Sequence, residues 1–123
     1  MEAKQAGARI ATVDPRLSNT ASMSDYWLSC WPGTEPAMLL AMARLLLEWD
    51  AVDHDFMRRW VNWEDSLESL YPERPRTYES FIDALKGEYA HFTPQWAGDE
   101  CGIEAAQIEE VARQIADAGH AFS

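Results

Sequence analysis

The 123-residue sequence predicts a helix-dominated α/β unit with one or two short parallel strands and four to five helices. Three observations point there. A short β-branched run, "ARIATV", ends at Asp14-Pro15; a Leu-rich segment follows Pro32-Gly33-Thr34-Glu35; and beyond residue 50 the apolar residues recur at helical spacing.

The elements follow in order. Gly7 and Asp14-Pro15 bound the run from Ala8 to Val13, the pattern of a buried parallel strand. Asp14 precedes a proline and is pushed toward extended backbone, while Pro15 has no N–H for a ladder, so the chain leaves the sheet at this carboxylate. The polar stretch "RLSNTASMSDYW" has no sustained period, which predicts a loop with a short helical turn, and a brief second strand follows at "YWLSCW". Thr34 is placed to cap a helix over about 35–49, with Glu35 in its first turn and Pro36 where no donor is needed. Leu39, Met42, Ala43, Leu46 and Leu47 form its expected buried stripe, widened by Leu40 and Leu45. Asp53 caps a second helix through "HDFMRRWVNW", with Phe56 and Trp60 on one face. After "YPERPR", Thr77 starts a third helix, and Thr93-Pro94 starts a short fourth near Gly98 and Gly102. A fifth, over about 104–118, aligns Ile108, Val111, Ala112 and Ile115 and ends at Gly119.

Composition narrows the function classes. Ten Lys and Arg against 21 Asp and Glu give a net charge of −11, which opposes attraction to nucleic acid or to an anionic membrane surface. No apolar run reaches membrane-spanning length and the first residues lack a secretory h-region, so the chain reads as soluble, with nothing in it to select a compartment. A hydrophobic share of 47% supports one core, hence a single unit over 1–123: a strand-loop-helix portion (1–50) and a helical portion (51–123). Cys30 and Cys101 have no CxxC partner and are expected to be buried free thiols. The scattered His54, His91 and His120 read as surface or structural histidines. No residue is assigned a catalytic or metal-ligating role. Neither GxGxxG nor GxxxxGK[ST] occurs, so the usual phosphate-cradling loop of a stand-alone nucleotide binder is missing.

One strand cannot form a parallel sheet by itself, so the pattern resembles a partial Rossmann-like unit, a piece of a larger nucleotide-binding domain. In such sheets ligands bind beyond the carboxyl ends of strands. Asp14 is placed to accept from ribose hydroxyls, and Glu35 can accept side by side from the N1–H and exocyclic amino group of guanine, a pairing adenine does not offer. Gly33 lets backbone approach a base, the Thr34 hydroxyl adds a donor, and Arg16 can reach a phosphate or stack on a ring. Each feature also has a plain structural reading: a strand end, a helix start, a solvated cation. Taken singly, those readings are the commoner ones.

The segment "GARIATVDPRLSNTASMSDYWLSCWPGTEPAMLLAMARLLLE" resembles the molybdopterin-guanine-dinucleotide oxidoreductases, the family of dimethyl sulfoxide reductase, formate dehydrogenase and nitrate reductase. The matching positions are Asp14, Pro15, Arg16, Ser18, Thr20, Ala21, Asp25, Trp27, Leu28, Pro32, Gly33, Thr34 and Ala37. Further on, "VDHDFMRRWVNW" and "FTPQWAGDECGIEAAQIEEVARQIA" are similar to two more stretches of the family, so the resemblance covers essentially the whole chain.

This resemblance implies an internal portion of a catalytic subunit that binds the guanosine end of bis-molybdopterin guanine dinucleotide carrying molybdenum or tungsten. The implied cofactor-binding residues are Asp14, Pro15, Arg16, Ser18, Gly33, Thr34 and Glu35. The family's usual Asp after Pro-Gly-Thr is Glu35 here, and Trp31 stands where a cation is frequent. The motif for a [4Fe–4S] cluster, possible in the parent, and the metal-ligating residue lie outside these residues, so no stand-alone activity is expected. The implied partners are the rest of the parent subunit and an electron-transfer subunit. A competing reading is a non-catalytic helical interaction module derived from such an enzyme, self-associating through exposed apolar surface, motivated by six Trp and five Met.

Overall fold

A computed structural model describes residues 2–119, and His120 lies outside them. A first short helix α1 (Glu2–Gln5) leads into strand β1 (Ala11–Val13), a 3-10 turn (Ala21–Met23) and strand β2 (Tyr26–Leu28). Six more helices follow: α2 (Glu35–Glu48), α3 (His54–Trp60), α4 (Trp63–Leu70), α5 (Tyr78–Tyr89), α6 (Pro94–Cys101) and α7 (Ala105–Ala118). The two strands pair in parallel, Ala11 with Tyr26, Thr12 with Trp27 and Val13 with Leu28.

The α/β, helix-dominated class is therefore as read from the sequence, with two corrections to its parts. First, β1 is three residues long and not buried: Ala11 and Val13 are exposed, because one neighbouring strand and the helices behind β2 leave its outer face uncovered. Second, the described residues form seven α-helices where four to five were expected. The helix predicted through residue 63 breaks at Val61, whose extended backbone (φ −93°, ψ 135°) ends α3, and a new helix begins at Trp63. α1 carried no periodic signal.

Capping explains where several helices start. Asp53 accepts from the Phe56 N–H, Thr77 from Ser80 and Thr93 from Trp96, each satisfying an amide that has no partner within its own helix. Thr34 does not cap: its backbone is already helical (φ −104°, ψ −3°), and its hydroxyl turns back to donate to the Trp31 carbonyl at 2.7 Å.

Helix α2 is the organising element, packed against α5, α6 and α7. Its buried face is Met38, Ala41, Met42, Leu45 and Leu47, whereas Leu39 of the expected stripe is 57% exposed. The main core joins Leu28 and Cys30 with Met38, Ala41, Met42 and Leu45 of this face and with Ala97, Cys101, Ile103, Ile108, Val111 and Ala112. A second cluster under α4 and α5 contains Leu67, Tyr78, Phe81, Ile82 and Ala84. Cys30 and Cys101 are free and buried; Cys101 donates to the Thr34 carbonyl, and burial, with Cys101 beside it, pushes the Cys30 thiol up to about 11.

Candidate functional site

Parallel pairing fixes the relation of the two polar turns. Val13 and Leu28 are the last residues of their strands and lie opposite each other, so Asp14 and the Trp31 to Glu35 turn both follow the carboxyl edge of the same two-stranded sheet. That edge is where open α/β sheets place ligands.

The first turn is held at its backbone by β2. Asp14 donates its N–H to the Leu28 carbonyl (3.3 Å), and its own carbonyl accepts from the Trp27 indole Nε1 at 2.7 Å. No sequence pattern announces the Trp27 contact. The Asp14 carboxylate accepts from the Arg16 N–H at 2.9 Å. That bond chiefly lowers its pKa, with Ser18 and the Arg16 charge assisting against partial burial. Asp14 is therefore an ionised acceptor at neutral pH. Ser18 also accepts from the Ala21 N–H at 3.2 Å, tying the turn to the 3-10 segment. Pro15 and Arg16 are exposed.

The second turn is tighter. The Trp31 carbonyl accepts the Thr34 N–H at 3.1 Å, and Gly33 adopts φ +89°, a region L side chains rarely enter. Glu35 folds its carboxylate back to accept from the Gly33 N–H at 2.9 Å. A carboxylate oxygen holding one N–H keeps a lone pair, and its partner oxygen keeps two, so Glu35 retains acceptor capacity. Nothing lies within 4 Å of where a Gly33 side chain would start, so this backbone is open to approach.

Two concave regions lie elsewhere. One, of about 520 Å³, is lined by residues 51–55 with Ile115 and Gly119. The other, of about 420 Å³, surrounds His54, whose ring nitrogens contact the Tyr78 hydroxyl (2.8 Å) and the Asp50 carboxylate (3.1 Å). Neither includes Asp14 to Ser18 or Gly33 to Glu35. Among the described residues no group of three or more His, Cys, Asp or Glu is arranged to hold a metal, and no helix is long and apolar enough to cross a membrane.

Comparison with known proteins adds the decisive observation. No family model matches the chain. Dimethyl sulfoxide reductase DmsA of Haemophilus influenzae is 29% identical over 121 residues, 96% of this chain and 15% of that protein. The thiosulfate reductase molybdopterin-containing subunit PhsA of Salmonella typhimurium is 29% identical over 116 residues, 94% of this chain and 13% of that one. The chain belongs to the molybdopterin oxidoreductases of the dimethyl sulfoxide reductase type. It spans about 15% of the length of these curated relatives. Acetylene hydratase from Pelobacter acetylenicus superposes with a TM-score of 0.68 at 22% identity, over 90% of this chain and 13% of that structure, a likeness of fold.

Proposed function

We propose that this chain is the portion of a molybdenum- or tungsten-dependent oxidoreductase that grips the guanosine end of a molybdopterin guanine dinucleotide. The observation that carries the reading is the emergence of both acidic turns from one carboxyl edge. In this reading residues 1–50 carry the nucleotide contacts and residues 51–123 brace them, with α2 joining the two portions.

The residues fit a nucleoside. Asp14 is ionised and exposed enough to accept from ribose hydroxyls; Arg16 supplies a cation for a phosphate; Glu35 offers acceptors to the guanine edge over the open Gly33 backbone. In this reading the metal end of the cofactor falls to the remainder of the parent subunit. When bound, the cofactor supplies the redox chemistry, by which a substrate gains or loses an oxygen atom or hydrogen equivalents. The protein's part is binding and orientation: rigid turns on a sheet edge hold the distant end of the cofactor, so its reacting end is held in register with the remainder of the parent subunit. An electron-transfer subunit and an iron–sulfur cluster belong to that larger assembly.

The test is titration of the chain with GMP and AMP. A preference for GMP is expected, and Glu35→Gln, which keeps one acceptor oxygen and replaces the other with a donor, should lower GMP affinity about tenfold. Equal binding of the two nucleotides by wild type and variant would refute the guanine assignment.

A second reading, a helical interaction module, draws on Phe56 and Trp60, which are 56% and 76% exposed on α3. Apolar area of this kind recruits partners or copies. Sedimentation decides it: concentration-dependent association abolished by Trp60→Gln supports the module, and a monomer at all concentrations opposes it.

A further inference from the structure

Trp31 stands in the second turn without a role in the reading above. It is 60% exposed, yet it is not loose. Its N–H donates to the Cys101 carbonyl at 3.0 Å, and its carbonyl accepts both the N–H and the hydroxyl of Thr34. The ring is seated too: a Cβ added to Gly102 would fall 2.6 to 2.9 Å from the indole Cε2, Cζ2 and Nε1 atoms. Gly102, at φ +72°, both closes α6 and leaves the space in which the indole rests. The result is a large aromatic surface fixed in place and left open to solvent. It lies in the same short turn as the Glu35 carboxylate.

We propose that Trp31 is the stacking platform for the purine whose edge Glu35 reads. This rests on the nucleotide reading above and adds a residue to it. The two contacts are complementary in kind. A carboxylate recognises the in-plane N–H groups of a base and separates guanine from adenine, whereas an indole grips the face of any base and separates neither. Holding a tryptophan ordered in water costs rotamer freedom and exposes apolar area, a cost offset when a flat ligand covers the ring. Where a cation at this position would contribute a charge contact, Trp31 contributes surface.

The experiment follows the indole Nε1–H resonances of the whole chain by NMR during titration with GMP, AMP and ribose 5-phosphate. The Trp31 resonance is identified by its absence from Trp31→Phe. Expected results are movement of that resonance with both nucleotides and none with ribose 5-phosphate. Trp31→Leu should bind GMP and AMP about tenfold more weakly, while Trp31→Phe stays within about threefold. Glu35→Gln should lose the preference for GMP and keep the Trp31 response. If Trp31→Leu binds GMP like wild type while Glu35→Gln still loses the preference, the platform is overturned and the nucleotide reading stands. A Trp31 resonance that ignores GMP while signals from Asp14 or Glu35 respond likewise overturns the platform alone. No response at Trp31 or at either turn, up to millimolar GMP, overturns both. Thermal melting of Trp31→Leu near the wild-type midpoint is expected for so exposed a side chain; where it melts early, the wild-type resonance and Trp31→Phe decide.

Discussion

Asp25 ties three parts of the chain together at the amino end of the sheet. Its carboxylate accepts from the Ile10 N–H at 2.9 Å and pairs with Lys4 at 3.3 Å and Arg9 at 3.4 Å. The Ile10 bond chiefly lowers its pKa below 3.8, with the two cations assisting and partial burial opposing. A carboxyl group depressed by folding binds more protons in the unfolded chain, so its contribution is fully present above pH 3.8 and is lost as pH falls through the folded value. Asp14 acts in the same direction. Melting of Asp25→Asn across the acid range should therefore show a lower midpoint at neutral pH and a shallower decline below about pH 4. An acid limb as steep as wild type would show that Asp25 is not one of the titrating groups. At this scale the sequence was informative about residue chemistry and silent about direction. It named Asp14 and Glu35 as acceptors, but the Trp27 indole on the Asp14 carbonyl and the reversed Thr34 hydroxyl depend on side-chain angles that no spacing encodes.

Helices α6 and α7 show how closely two elements can be joined. A Cβ on Gly98 would lie 2.7 Å from the Ile103 carbonyl oxygen and 3.3 Å from the Ala105 nitrogen, both backbone atoms that cannot swing aside. Gly87, in α5, meets nothing within 4 Å. Gly98→Ala should therefore cost about 1–3 kcal/mol through displacement of the helix junction. Gly87→Ala should instead stabilise by up to about 1 kcal/mol through helix propensity. Denaturant unfolding of the pair checks this, and equal effects would contradict the close approach. The same scale shows why boundaries were easier to read than faces. Asp53, Thr77 and Thr93 announced helix starts because a cap is a local hydrogen bond. The phase of α2 was not legible: "EPAMLLAMARLLLE" is apolar around most of its circumference, so periodicity alone could not choose Met38, Ala41 and Leu45 over Leu39 and Leu46. The break between α3 and α4 was hidden because "HDFMRRWVNWEDSLESL" contains no proline or glycine at Val61.

At the scale of the molecule, the sheet is the informative part. Two parallel strands with an exposed outer face form a fold normally found within wider sheets, which agrees with a chain spanning about 15% of its relatives. The short β-branched run and the Asp-Pro exit made the first strand legible, and the resemblance supplied the parallel partner's meaning. The register of the two strands, Val13 opposite Leu28, was not legible, because no local pattern encodes it. The central claim is that Asp14 to Ser18 and Gly33 to Glu35 act as one pocket. Backbone amide chemical-shift mapping of the chain titrated with GMP tests it most directly. The account predicts that amides of both turns move together along one binding curve. Movement confined to one turn, or centred on the cleft around His54, would contradict it.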